Sequence, residues 1–336
     1  MARNTRRSRG MKKLQPAVQT LSFATTVPAG TTVDVFIDIS QAASLVNRRF
    51  YRQGLNWAVS GMKFLSQSSN PLNGSIVVEK LPETWVMGNA WEKSFRVWQR
   101  MIDNATEEAG SESIKGRFLD FKVFADADHH LAGSAANLLP VNAIATAAPG
   151  QWQMSDITIP TQGTGAAVDF ELIAVGPNDP GAGASGKDAK SLIQGYADSR
   201  ALPAPEDPNV PADANTNWML NLFDDGTAQD AAVTNMLEAT GDNPPYPFEG
   251  DAAGTPDTMY PGGETQLPGL QIHSSEYVTG TTIGGTTRIK GGMFPCGLIG
   301  LRLTNSDSEF PLAHVIELDL VPGSHRGYLA TPMTEM

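Results

Sequence analysis

The chain has 336 residues, 40% of them hydrophobic and 18% charged, enough for one large core or two modest ones. Its formal net charge is -12, and its one cysteine, Cys296, excludes an intrachain disulfide framework, leaving a buried thiol as the expectation. No long apolar stretch and no lipidation motif occurs, so membrane insertion is not expected.

Residues 1–13, MARNTRRSRGMKK, carry Arg3, Arg6, Arg7, Arg9, Lys12 and Lys13 and no acid; the first carboxylate is Asp34. Setting that tip aside leaves 18 basic residues against 36 acidic ones, so the charge is segregated. Six like charges with so little apolar relief predict a disordered arm. Clustered Arg and Lys suit phosphate neutralisation or a nuclear address. A secretory leader fits poorly, because the run behind the tip is broken by Gln15, Pro16 and Gln19. A solvated tail without a partner is the plainer alternative.

Strand patterns then follow in order. LSFATTV leads to TTVDVFIDI, where Val33, Val35, Ile37 and Ile39 alternate with Asp34, Phe36 and Asp38. SQAASLVNRRF reads as a short helix ending in NRRFYRQ. There Arg48, Arg49 and Arg52 surround Phe50 and Tyr51, an arrangement that suits single-stranded nucleic acid because guanidinium groups meet phosphates and rings offer stacking faces. The plainer reading is a polar turn whose aromatics, Phe50 above all, point inward. NWAVSGMKFL and GSIVVEKL are further strands.

Trp91, Phe95, Trp98 and Ile102 lie at spacings of four, three and four, on one stripe of a helix. Asn89 with Glu92 resembles a capping box, and Glu92 is placed to pair with Arg96. The stripe reads as a core face rather than a stacking platform. Strands are expected again at FLDFKVF (Leu119, Phe121 and Val123 against Asp120 and Lys122), SDITIP and AVDFELIAV, and later at GLQIHSSEYV, GLIGLRLT and AHVIELDLV. Ten short strands among Gly, Pro, Asn and Asp favour a mainly β, antiparallel sandwich with a few inserted helices.

Residues 176–269 differ. Proline and glycine punctuate them, and fifteen acids face only Lys187, Lys190 and Arg200. They read as a long surface insertion with two helical patterns, at 188–199 and 225–240, in a shell domain formed by 14–175 and 270–336.

Two stretches tempt a chemical reading. GAGASGKD fits a P-loop from Gly181 to Lys187, but Asp188 replaces the magnesium-binding hydroxyl, so a flexible glycine loop is expected. DADHH offers Asp126, Asp128, His129 and His130; a solvated loop, or an ion site at a subunit contact, is expected rather than catalysis. No serine elbow, HExxH or CxxC is present. Neither an enzyme, nor a cofactor, nor a resident metal is expected.

The Arg-rich tip together with LVNRRFYRQGLNWAVSGMKF and KLPETWVMGNAWEKSFRVWQRM resembles the capsid proteins of small circular single-stranded DNA viruses known from environmental samples. The resemblance implies a single jelly roll of two facing four-stranded sheets. Copies of it would self-assemble into an icosahedral shell with arms directed at a single-stranded DNA genome, RNA being the alternative. It also implies residence in the virion, with passage through a host nucleus. Arg3, Arg6, Arg7, Arg9, Lys12 and Lys13 would then neutralise phosphates without reading sequence, with Arg48, Arg49 and Arg52 continuing the patch. The competing expectation is a secreted β-sandwich binding module or adhesin using its acidic loops for calcium or carbohydrate.

Overall fold

The computed structural model of the chain describes residues 16–67, 73–111, 120–142, 145–159, 168–201, 269–279 and 285–336. The basic tip and the helical pattern expected at 225–240 lie outside the described residues. In chain order the elements are β1 (Thr20–Val27), β2 (Thr32–Asp38), α1 (Ile39–Asn47), β3 (Leu55–Gln67), β4 (Asn73–Lys80), α2 (Trp85–Glu108) and α3 (Ala127–Ala132). There follow β5 (Asp156–Ile159), β6 (Val168–Ile173), β7 (Asp188–Ser191), α4 (Leu192–Ala201), β8 (Gln271–Thr279), β9 (Thr286–Phe294), β10 (Leu298–Asn305) and β11 (Leu312–Leu320). The short β12 (Pro322–Gly323), β13 (Gly327–Tyr328) and β14 (Ala330–Pro332) close the chain.

Period-two alternation builds the sandwich. Val33, Val35 and Ile37 of β2, Ile299, Leu301 and Leu303 of β10, and Ile316, Leu318 and Leu320 of β11 all turn into one core around Phe23, Trp57 and Phe64. Register aligns these faces: Ile316 stands opposite Phe23 on one side and Phe64 on the other, and Leu301 opposite Val35 and Val78. A slip by one residue would turn every such side chain to the wrong face.

The two sheets run β1-β11-β3-β9 and β2-β10-β4-β8, all antiparallel. Numbered among themselves, the eight strands stand in the order first, eighth, third, sixth and second, seventh, fourth, fifth. That order is the double Greek key of a jelly roll. The fold is thus mainly β, an antiparallel sandwich with few helices.

A second core covers the outer face of the β2-β10-β4-β8 sheet, where Phe36 and Leu298 point away from the sandwich interior. It is built largely from the long connection between β4 and β8, with Cys296, Met333 and Met336 added from the C-terminal part of the chain. Trp91, Phe95 and Trp98 of α2 gather around Phe121 at centroid distances of 5.7, 5.8 and 5.6 Å, so the stripe is a core face as its spacing implies. Helix α2 begins earlier than the expected capping box: Thr84 Oγ1 accepts from Met87 N, and Asn89 lies inside the helix. The pairing of Glu92 with Arg96 is present.

Of the expected strand at 118–124, the described residues 120–123 form no strand. Among its described residues the backbone is bonded by side chains instead: Lys122 N donates to Ser155 Oγ at 3.0 Å and Val123 N to Gln53 Oε1 at 2.7 Å. Only Phe124 makes a bridge, to Ile173. Residues 188–193 of the acidic stretch are not surface decoration either. Strand β7 runs parallel to β6, and Ala189, Leu192 and Ile193 are buried.

One buried carboxylate links the sandwich to this second core. Asp38 caps α1, accepting from Ser40 N (2.8 Å) and Gln41 N (3.2 Å), and its other oxygen accepts from Gln53 Nε2 (3.2 Å) and Trp152 Nε1 (3.0 Å). Burial nonetheless pushes its pKa up to about 6.

Candidate nucleic-acid interface at the arm root

Helix α1 ends because Arg48 adopts a left-handed conformation, φ 52°. The following turn is fixed from inside. Tyr51 is buried, its N donates to Ser44 Oγ at 2.9 Å, its ring packs on Trp57 and Tyr328, and its hydroxyl donates to Arg326 O at 3.1 Å. With Tyr51 turned in, its neighbour must turn out: Phe50 is 44% exposed, contrary to the inward placement expected for it. Arg48, Arg49 and Arg52 are exposed on the same turn.

Three further groups join them that lie far away in sequence. Arg326, also left-handed at φ 50°, donates from its guanidinium to Phe50 O at 2.5 Å. Lys122 Nζ lies 4.4 Å from the centroid of the Trp152 ring and 5.8 Å from that of Phe50, paired with Asp120. Trp152 itself sits 6.1 Å from Phe50, held by Asp38. The described chain enters at this place, for Arg49 Nη1 donates to Pro16 O at 3.5 Å and Val18 N to Asn47 Oδ1 at 3.0 Å.

Beside the turn opens a cleft of about 580 Å³ lined by Phe50, Trp91, Phe95 and Phe121 together with Arg52, His325 and Arg326. Its floor depends on Gly54, where a Cβ would stand 2.2 Å from the Trp91 ring. Among the described residues no carboxylate lines it. Burial, with Arg326 adding to it, holds the His325 pKa below its ordinary value, so at neutral pH the cleft's positive charge comes from the two arginines. Sequence reasoning finds Arg48, Arg49 and Arg52, assigns Phe95 to a core face and Phe121 to a strand, and does not single out Arg326. The arginine in GSHRGY, flanked by turn residues, was the one local signal for Arg326.

The other expected chemical sites resolve differently. His129 and His130 are buried, not solvated. Asp126 caps α3; His129 accepts from Ala125 N through Nδ1 at 3.0 Å, meets Asn137 Oδ1 at 2.7 Å through Nε2, and stacks on Phe36 at 4.4 Å. Burial lowers its pKa to about 4, so it is a neutral, structural imidazole. His130 Nε2 lies 3.0 Å from Glu171 Oε2. No group of three or more His, Cys, Asp or Glu able to hold a metal occurs among the described residues. In the glycine loop, Lys187 pairs with Asp156 at 2.6 Å and Asp169 at 3.4 Å, and strand β7 follows it where a phosphate-binding loop would need a helix N-terminus. Cys296 is buried and free, its thiol pushed far up by burial. No helix among the described residues is long and apolar enough to cross a membrane.

Family models, curated proteins and solved structures were all compared with the chain, and none matches.

Proposed function

We propose that this chain is a viral capsid protein whose jelly roll self-assembles into an icosahedral shell and packages single-stranded nucleic acid, DNA before RNA, by neutralising phosphates. Its work is structural rather than enzymatic, and its place is the virion, with passage through a host nucleus during assembly. A jelly roll alone does not decide function, since the same fold serves lectins and cupins. The observation that carries the reading is the contact between Arg49 and Pro16. It sets Pro16, three residues after the last lysine of the cationic tip, against a surface that already presents Arg48, Arg49, Arg52 and Arg326, although the rest of the chain is strongly acidic.

The charge mechanism is tested on unassembled subunits, below the assembly concentration so that avidity does not inflate the result. Log affinity for an oligothymidylate is plotted against log salt, with a slope of about -0.7 expected for each phosphate neutralised. The six tip cations predict about -4, and Arg48, Arg49 and Arg52 bring it to about -6. Removing residues 1–13 is expected to shrink the slope to the part the turn supplies. An unchanged slope would remove the tip from the mechanism.

A further inference from the structure

We infer that the cleft beside Phe50 receives an unstacked base of single-stranded nucleic acid, turning a charge-only contact at the arm root into one that also discriminates single strands from duplex. This rests on the packaging reading and deepens it.

Three independent observations point the same way. The first is composition: four aromatic rings and two arginines line one concavity, with no carboxylate among the described lining residues, in a chain where acids outnumber bases. An ordinary apolar ligand would make no use of the charge of Arg52 and Arg326, and a bare phosphate would make none of the exposed Phe50 ring. A nucleotide uses both, its base on the aromatic wall and its phosphate at the guanidinium rim. The volume lies within the range of small-molecule pockets, roughly 300–1,000 Å³.

The second is placement. Phe50 belongs both to the turn that meets Pro16 through Arg49 and to the wall of the cleft. A strand bound where the described chain begins at Pro16 therefore lies one residue of the turn away from the cleft wall.

The third is backbone strain. Two non-glycine residues of this small region, Arg48 and Arg326, hold left-handed backbone that glycine would adopt without penalty. Strain of this kind persists only where the surrounding structure holds it, and binding surfaces are among the places where it clusters. Arg326 also donates to the Phe50 carbonyl, which sets the ring's own backbone over the cleft.

Recognition of this kind is tolerant of sequence, because every base has a stacking face, and it excludes duplex, whose bases are not available. Poly-pyrimidine and mixed strands are then expected to bind alike.

The test compares two probes of equal length and charge, an oligothymidylate and the same backbone with abasic sites, on the unassembled full-length subunit at fixed salt. Tryptophan fluorescence reads binding, since Trp91 lines the cleft and Trp152 adjoins Phe50. The oligothymidylate is expected to bind about tenfold or more tightly than the abasic strand. Phe50→Ala, at an exposed position that leaves both cores intact, is expected to abolish that preference while leaving abasic binding and the salt slope as they were. Arg52→Gln is expected to weaken both probes and to reduce the slope.

Equal affinity for the two probes, or a preference that survives Phe50→Ala, overturns the cleft while leaving phosphate neutralisation standing. Weak binding of both probes with no dependence on salt overturns the packaging reading and the cleft with it. Crosslinking of a 5-bromouracil strand supplies a second readout independent of affinity: adducts are expected on residues lining the cleft, and adducts confined to residues 1–13 contradict the inference.

Discussion

The guanidinium of Arg326 donates a hydrogen bond to the carbonyl oxygen of Phe50 across 276 residues of chain. The C-terminal segment thereby holds the turn after α1, and with it the edge of the cleft. Because the bond is exposed, its removal by Arg326→Ala is expected to cost no more than about 1.5 kcal/mol of stability. Affinity for single-stranded DNA is expected to fall more than that small loss would suggest, through lost charge and a loosened Phe50. Unchanged affinity in a melting-matched comparison would show the contact to be structural only.

Arg48 offers a variant in which stability and binding move in opposite directions. Its left-handed backbone at the end of α1 is where glycine is preferred. Arg48→Gly is expected to raise stability by up to about 1 kcal/mol, read as a higher melting temperature, while weakening nucleic-acid binding. A fall in both would mean that the arginine is there for the fold.

Strand β9 rests on a close approach. A Cβ at Gly291 would stand 2.2 Å from Val59 O and 2.4 Å from Ser60 O, both backbone atoms of β3 that cannot swing away. Gly291→Ala is expected to destabilise the subunit by about 1–3 kcal/mol or more, measured by urea unfolding. A neutral outcome would contradict the pairing of β9 with β3.

Stability against pH has opposing contributions. Asp38 and Asp126 are pushed up to about 6 by burial, so the folded chain binds extra protons there; that contribution is present in acid and is lost as pH rises through about 6. His129 and His314, lowered to about 4 by burial, act in the other sense, contributing above the ordinary histidine range and losing this as pH falls through about 4. The two pairs nearly cancel between these limits. Asp126→Asn keeps a good helix cap but removes one proton site, so its stability is expected to decline more steeply than the parent's as pH falls from about 6 to about 4.5, by roughly 1 kcal/mol per pH unit. Parallel curves would contradict the burial of Asp126.

Most of the sandwich was legible because period-two alternation is a local signal with one wet face, as in β2, β10 and β11. Strand β9 was not, since Gly291 and Gly292 break its alternation; Gly291 lies against the β3 backbone and Gly292 against the His273 ring, contacts that no local pattern reveals. The segment from Asp120 to Val123 has the alternation of a strand, yet Ser155 and Gln53 capture its backbone donors. The site divides in the same way. Arg48, Arg49 and Arg52 are contiguous and could be read together, whereas Phe121 and Arg326 reach the cleft only through the long connection between β4 and β8 and the C-terminal segment. The buried histidines were misjudged because DADHH is polar in sequence, while Phe36, whose ring stacks on His129, lies far from it along the chain, and Asn137, eight residues on, gives no local sign that it bonds the imidazole.

The central claim is that the subunit builds a shell around nucleic acid. The most direct measurement is electron microscopy of the purified full-length protein, with nuclease-resistant nucleic acid quantified and typed as DNA or RNA in the same sample. The account predicts closed isometric particles holding protected single strands, and empty or absent cargo once residues 1–13 are deleted. Persistent monomers under all assembly conditions, or particles whose protected cargo is unaffected by that deletion, would contradict it.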